Sequence, residues 1–191
     1  MKNSTKELIM NTAWKHFSMY GYTDTNLERI CKDAGITRGP LYYYFKDKED
    51  LYRQIVIRET DKMTEEYETI LKSDGPLMDV VEKIMHLCTI YNPLLQRANN
   101  ITSPDVPKIE ETDALNIHVL ELIDARFRKA RQAGQVKDGT DILEMIYFLY
   151  TFALGIVTYD EKMNLGGEKS FYDKELAIKI FLKSFKEQYA K

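Results

Sequence analysis

The sequence predicts an all-α protein, with an N-terminal three-helix module built on a helix-turn-helix and a larger C-terminal helical domain. Three observations lead to this prediction. Apolar residues recur every three or four positions along most of the 191 residues, and no segment alternates as strands do. A short glycine-containing turn at Gly35 separates two short helical segments. Glycine and proline clusters divide the rest of the chain into long helices.

The first helix is predicted from a capping signal and an apolar stripe. Ser4 and Glu7 have the spacing of a capping box, in which each residue satisfies a free backbone donor of the first turn. Apolar residues on one helical face follow, and the stripe ends before Gly21. Its members are Leu8, Ile9, Ala13 and Phe17. This helix is expected to support the two helices that follow it.

The second helix and the turn after it are predicted from their end signals. Thr25 and Glu28 form a second capping-box spacing, which makes Thr25 the expected N-cap. Gly35 is expected in the left-handed conformation after the helix, with Ile36 making the apolar contact that accompanies such an end. The buried stripe between these ends consists of Leu27, Ile30, Cys31 and Ala34.

The third helix has one face suited to a core and one suited to DNA. Thr37 is its expected N-cap, and Pro40 is tolerable in the first turn, where backbone N–H groups have no helical partner. Leu41, Tyr44 and Phe45 share the inner face. The opposite face carries Arg38, Gly39, Tyr42 and Tyr43.

The chemistry of the outer face favours binding in a DNA major groove. Arg38 can contact guanine through two hydrogen bonds or can bind phosphate, and Gly39 lets the backbone approach the groove closely. Tyr42 and Tyr43 can donate hydroxyl hydrogen bonds to phosphate, and Lys48 adds a positive charge at the start of the next helix. The alternative is an ordinary three-helix bundle with a half-exposed, tyrosine-rich helix.

This segment resembles the DNA-binding domain of the TetR family of bacterial transcriptional regulators. The matching residues are Thr25, Ala34-Gly35-Ile36, Thr37-Arg38-Gly39, Leu41 to Phe45, and Lys46, Lys48 and Leu51. The chain departs from the family pattern at Pro40, where a hydroxyl contact to phosphate would be absent, and at Cys31 and Tyr43, where neither change threatens the fold. We predict DNA contacts from eight residues: Thr25, Asn26, Thr37, Arg38, Gly39, Tyr42, Tyr43 and Lys48.

The charge distribution agrees with DNA binding at one end of the chain. Residues 1–60 carry ten Lys and Arg against eight Asp and Glu, whereas residues 61–191 carry seventeen against twenty-two. The net charges are therefore +2 and −5. We expect residues 1–47 to form the DNA-binding domain and residues 48–191 to form a ligand-binding and dimerisation domain.

The C-terminal domain is predicted to consist of five long helices. The first begins near Asp47 and ends before Gly75-Pro76, and the second covers residues 77–98. Residues 99–107 are predicted as a loop or a broken short helix. Helices are then expected over residues 110–133, 139–163 and 171–189.

The last two helices indicate a dimer. Apolar residues cover more than half the circumference of helix 139–163, and Leu176, Ala177, Ile180, Phe181, Ser184 and Phe185 form a broad stripe on the final helix. A two-fold four-helix interface, as TetR-type proteins use, would bury both helices and suits a palindromic operator. A monomer that buries them centrally is the alternative. We expect a homodimer, and we expect a charge at Phe181 to disrupt it.

The family resemblance implies a small organic ligand held between the long helices. The candidate lining residues are Met63, Tyr67, Met85, Thr89, His118, Leu122, Phe148 and Thr151. Methionine and aromatic side chains offer adaptable apolar contacts, and His118 and Thr151 could orient a polar group. Ordinary core packing is the alternative for each residue, and the sequence does not identify the ligand.

Other function classes lack the residues that they require. We find no nucleophile with its base, paired-carboxylate site, phosphate-binding glycine loop or zinc-ligand set, so no enzyme, cofactor or metal is predicted. Cys31 and Cys88 suggest no disulfide, and the apolar run Met145–Val157 is too short to span a bilayer. We therefore expect a cytoplasmic ligand-responsive repressor of a double-stranded operator, the alternative being a helical ligand- or protein-binding adaptor without DNA regulation.

Overall fold

The computed structural model describes residues 2–89, 106–163 and 173–191, and for residues 2, 3, 89 and 157–163 it describes the backbone alone. Eight α-helices occupy the described residues. They are α1 (Lys2–Asp24), α2 (Leu27–Asp33), α3 (Arg38–Tyr44), α4 (Lys48–Leu71), α5 (Leu77–Thr89), α6 (Glu110–Gln132), α7 (Ile142–Met163) and α8 (Lys174–Tyr189). The predicted helical residues 90–98 and loop residues 99–105 lie outside the described chain.

The helices form two compact packing units. The first contains residues 2–63 and 106–115, and the second contains residues 64–89, 116–163 and 173–191. The limits of the units fall inside α4 and α6, so each of these helices contributes residues to both units. The functional boundary that we place after residue 47 stays a prediction.

The core of the first unit comes from α1, α2, α3 and the first half of α4. Phe17 of α1, Ile30 of α2 and Leu41 of α3 are at most 1% exposed. Leu51 and Ile55 add the buried face of α4. Two details of the first helix were predicted wrongly: α1 begins at Lys2, so Ser4 lies inside it, and Leu8 is 45% exposed rather than buried. One helical face cannot hold Leu8 together with Ile9, Ala13 and Phe17.

The core of the second unit is formed mainly by α5, α7 and α8, with the ends of α4 and α6. Phe127, Phe181 and Phe185 are at most 2% exposed. The ring centroid of Phe185 lies 5.9 Å from that of Phe127 and 5.6 Å from that of Phe181. The first backbone N–H of α5 is bonded by a residue that follows α6, since Gln135 Oε1 accepts from Leu77 N at 2.6 Å. The core therefore depends on contacts distant in sequence.

The chain end is joined to the turn that follows α6. Val136 and Ala190 form an isolated antiparallel β-bridge. Lys191 N donates to Gln135 O at 3.0 Å, and Lys137 N donates to Tyr189 O at 2.9 Å. Tyr189 also donates its hydroxyl to Glu144 at 2.9 Å, and burial together with this carboxylate raises the pKa of Tyr189 to about 12. These contacts keep α8 against α7.

The apolar residues that α7 and α8 expose differ from the predicted dimer interface at one residue, Phe181. Phe181 is 2% exposed and belongs to the core of its own unit, so the expectation that it forms an intermolecular interface was wrong. The exposed apolar residues of α8 are Leu176 and Ile180, at 53% and 58%. On α7 they are Leu143, Tyr147, Phe148, Tyr150 and Leu154. A stripe that covers most of a helix does not indicate which part faces its own core.

No described helix combines the length and the apolar character that crossing a membrane would require.

Candidate nucleic-acid interface

The start of α2 is capped by Asn26 and not by Thr25. The Oδ1 atom of Asn26 accepts a hydrogen bond from Glu28 N at 2.7 Å. Thr25 is 3% exposed, and its hydroxyl donates to Gly21 O at 2.6 Å. Gly21 has φ 76° and breaks α1, and α2 is capped one residue later than the capping-box spacing predicted. Thr25 therefore stabilises the approach to α2, while Asn26 lies exposed at its end.

The turn between α2 and α3 has the predicted geometry. Gly35 has φ 65°, which only glycine adopts without strain. Ile36 N donates to Cys31 O at 3.0 Å, and Gly35 N donates to Lys32 O at 3.1 Å. This pair of bonds is the Schellman motif, which ends α2. The predicted helix-turn-helix is confirmed.

The third helix presents an open outer face. Leu41 and Phe45 are at most 1% exposed, whereas Tyr42 and Tyr43 are 53% and 69% exposed. A Cβ atom added at Gly39 would meet no atom within 4 Å. The outer face is thus unobstructed, as binding in a groove requires.

Thr37 occupies the predicted N-cap position of α3, but its side chain makes no capping bond. Its backbone is extended, with φ −81° and ψ 171°. Because the side chain is exposed, its hydroxyl lies on the solvent side of the turn. A hydroxyl in this position can donate to a phosphate oxygen.

Arg38 forms an ion pair with Glu28, which the sequence assigned only to a capping box with Thr25. The guanidinium Nη2 contacts Glu28 Oε1, and the two side chains are 63% and 64% exposed. Such an exposed pair contributes about 0–1 kcal/mol to the free energy of unfolding. The two residues lie ten positions apart on different helices, and no local spacing rule predicts the contact.

Lys48 lies at the start of α4 and contacts the end of α1. Its ammonium donates to Thr23 O at 3.0 Å and lies 4.7 Å from the ring centroid of Tyr22. Partial burial lowers the pKa of Lys48, and the nearby Asp24 carboxylate opposes that shift. An ammonium has three donors, so a phosphate contact remains compatible with these interactions.

The candidate ligand residues do not form one cluster. Met63 packs against the core of the first unit, whereas Tyr67, Met85 and Leu122 belong to the core of the second. Met85 is fully buried. The hydroxyl of Tyr67 lies 3.6 Å from Cys88 Sγ, and burial raises the pKa of both groups.

The remaining ligand candidates lie in three different settings. His118 Nε2 lies 2.9 Å from Glu68 Oε1, in a partly exposed pair. Phe148 and Thr151 line an open groove of about 250 Å³ on α7, together with Phe152, Gly155 and Ile156. The side chain of Thr89 lies outside the described residues.

The helix-turn-helix region matches known regulatory proteins. A family model described as bacterial regulatory proteins, tetR family, matches residues 9–55. The HTH-type transcriptional regulator AcrR of Shigella flexneri is 37% identical over 82 residues, which are 42% of this chain and 38% of AcrR. Residues 9–55 therefore match the helix-turn-helix region of the tetR family. This confirms the resemblance found in the sequence.

Solved structures of transcriptional regulators share the fold over most of the chain. A TetR transcriptional regulator from Chloroflexus aurantiacus has a TM-score of 0.79 at 16% identity, with 99% of this chain and 98% of that chain covered. FadR of Bacillus subtilis, in complex with stearoyl-CoA, has a TM-score of 0.67 at 18% identity, with 94% and 96% covered. These likenesses confirm the predicted all-α architecture.

The sequence relationship is confined to part of the compared protein. The chain spans about two fifths of the length of the AcrR protein that it matches. The matched proteins are regulators, in agreement with the prediction of a regulator and not an enzyme.

Proposed function

We propose that the protein is a dimeric regulator of transcription that binds an operator through α3 and releases it when a small organic ligand binds. The outer face of α3 carries this proposal. Arg38, Gly39, Tyr42 and Tyr43 share it, and nothing in the same packing unit covers the space over Gly39. The match of residues 9–55 to the tetR family supports the same function.

The residues of this face have separate parts in the proposed complex. Arg38 reads a guanine, because its planar donors match the O6 and N7 acceptors. Thr37, Tyr42 and Tyr43 donate to phosphates and hold α3 in register. Gly39 allows the backbone to approach, and Asn26 and Lys48 flank the helix as further phosphate donors. Thr25, which is buried, acts by holding the start of α2.

The exposed apolar residues of α7 and α8 support a homodimer. Leu143, Tyr147, Tyr150 and Leu154 are spaced by four, three and four residues, which gives one continuous stripe along α7. Leu176 and Ile180 form a shorter stripe on α8. Two-fold pairing of these faces would bury them, and it would match a palindromic operator with half-sites about 34–36 Å apart.

The proposed ligand site lies in the second unit and includes Tyr67, Met85, His118 and Leu122. Their apolar and aromatic character favours a mainly hydrophobic organic molecule. Helix α4 links this site to DNA, since it carries Lys48 in the first unit and Tyr67 in the second. A ligand that prefers one orientation of α4 changes operator affinity by its differential affinity for the two states.

A gel-shift titration tests DNA binding directly. The probe is the DNA upstream of the protein's own gene, and a scrambled duplex of equal length is the control. We expect the upstream DNA to be retarded at lower protein concentration than the scrambled duplex. Equal affinity for both, or no binding to either, would overturn the proposal and favour an adaptor that does not regulate DNA.

A further inference from the structure

The ion pair between Glu28 and Arg38 links the two helices of the helix-turn-helix on their solvent side. Glu28 lies in the first turn of α2, and Arg38 is the first residue of α3. Asn26 holds the Glu28 backbone, because its side chain accepts from Glu28 N at 2.7 Å. The carboxylate therefore projects from an anchored position next to the arginine that is proposed to read DNA.

The stability of the domain does not require this pair. Both side chains are more than 60% exposed, so solvent screens their attraction. The two helices are already held together by buried residues such as Ile30 and Leu41. Glu28 is also well placed without a partner, since an acidic side chain suits a helix N-terminus, whereas Arg38 at the start of α3 is unfavourably placed.

Neighbouring carboxylates have other partners. Asp33, at the end of α2, lies 2.8 Å from His16 Nε2. Asp50 accepts from Lys46 N at 2.8 Å and from Gln54 at 2.9 Å. Glu28 therefore pairs with Arg38, whereas Asp33 and Asp50 interact with other residues.

We propose that Glu28 is a positioning residue that sets the sequence specificity of DNA binding through Arg38, an inference that rests on the proposed function. On non-specific DNA, Glu28 neutralises Arg38 and repels phosphate, which removes one cationic contact from the sequence-independent part of the affinity. At a guanine, Arg38 uses two of its five N–H donors on O6 and N7. Other donors remain for Glu28, so the carboxylate then orients the guanidinium.

The consequence is a difference between the two binding modes. Glu28 weakens non-specific binding, where a free arginine would bind any phosphate. It does not weaken specific binding, where the arginine is used on a base edge and the carboxylate keeps its partner. Specificity is the ratio of the two affinities, and Glu28 therefore increases it.

The test compares Glu28→Gln with the wild-type full-length chain. The specific probe is a duplex selected by the wild-type protein from a randomised library, and the non-specific probe is a scrambled duplex of the same length. We expect Glu28→Gln to bind the scrambled duplex about tenfold more tightly at 50 mM salt and about threefold more tightly at 200 mM, since it gains roughly one phosphate contact. Affinity for the selected duplex should stay unchanged or fall.

Two further variants separate this effect from a general change of charge. Glu49→Gln removes the same charge from an exposed position in the first turn of α4 and is the matched control. It should change binding to both duplexes by equal factors. In an Arg38→Ala background, Glu28→Gln should change the ratio of affinities by less than about twofold, because its partner is absent. Circular dichroism and thermal unfolding should match wild type for every variant.

Three results would overturn the inference. One is an equal effect of Glu28→Gln on both duplexes, and another is an effect that persists without Arg38. Either result would leave the proposed function intact. If library selection with the wild-type protein enriches no sequence, or the selected duplex binds no more tightly than the scrambled one, the proposed function fails together with the inference.

Discussion

Gly35 and Gly39 lie four residues apart and serve opposite purposes. Gly35 has φ 65° and ends α2, so any other residue would be strained although a Cβ atom there meets nothing within 4 Å. Gly39 lies inside α3, where glycine costs up to about 1 kcal/mol relative to alanine. The first glycine is explained by the fold, whereas the second is explained by the surface that it leaves open.

Changing Gly39 to alanine should separate stability from DNA binding. We expect the free energy of unfolding to stay equal or to rise by up to about 1 kcal/mol, since alanine favours the helix and the added methyl meets no neighbour. Operator affinity should fall, because the methyl group occupies the space into which the DNA approaches. Urea denaturation and gel-shift titration measure the two quantities.

Gly35→Ala is the matched control for this prediction. It should lower the free energy of unfolding by about 1–2 kcal/mol through backbone strain alone. Its operator affinity should follow the fraction of folded protein. If Gly39→Ala bound the operator as tightly as wild type, the close approach at Gly39 would be refuted.

Removing the Arg38 side chain should weaken operator binding by about 1–3 kcal/mol if the residue reads a base. Preference for one base pair should then be relaxed. If Arg38 binds phosphate alone, the loss should be similar for all sequences, and the salt slope should fall by about one. Competition with base-substituted duplexes at two salt concentrations distinguishes these outcomes, and unchanged operator affinity would contradict both.

At the scale of the helices, α7 and α8 each present an inner and an outer apolar face. Phe181 and Ile180 are adjacent in sequence, yet they are 2% and 58% exposed. Phe181 stacks on Phe152 with ring centroids 4.5 Å apart, inside the core of its own unit. Within the described part of α8, the apolar face that contains Leu176 and Ile180 is the one exposed to a second copy of the chain.

Ile180→Glu should therefore give a folded protein with weakened dimerisation. The charge stays in solvent in the isolated chain but would be desolvated in the proposed interface, where an unpaired charge is strongly unfavourable. Light scattering coupled to size-exclusion chromatography should report a shift towards monomer, with the helical circular dichroism retained.

The control at the neighbouring position should behave differently. Phe181→Glu buries a charge in the core and should lower the free energy of unfolding by about 3–5 kcal/mol. A wild-type protein that is a folded monomer at micromolar concentration would refute the proposed interface, and so would Ile180→Glu that dimerises like wild type.

The starts of the last two helices were predicted to within about three residues, and local capping explains the differences. Helix α7 begins at Ile142 rather than residue 139, since Asp141 Oδ1 accepts from Leu143 N at 2.9 Å. Helix α8 begins at Lys174, and Asp173 caps it through Leu176 N at 3.0 Å. Several side chains in each segment could act as caps, so periodicity alone does not select one.

At the scale of the whole molecule, ligand binding and DNA binding should be reciprocal. If an organic compound lowers operator affinity by a given factor, the operator must lower the affinity for that compound by the same factor. The expected coupling is about 1–3 kcal/mol. Thermal-shift screening would identify a compound, and titration with and without operator would measure the coupling. A compound that binds tightly and is indifferent to DNA would contradict the proposed switch.

The sequence alone determined the features that depend on neighbouring residues. It specified the helices, the turn at Gly35 and the inner and outer faces of α3, because helical periodicity and end signals act within a few positions of the chain. Tertiary structure decided which residues distant in sequence meet. It paired Glu28 with Arg38, assigned Met63 and Tyr67 to the cores of different units, and buried Phe181 while exposing Ile180. Each of these depends on the packing of separate helices, and hydrophobic burial does not specify which partner an apolar face will have.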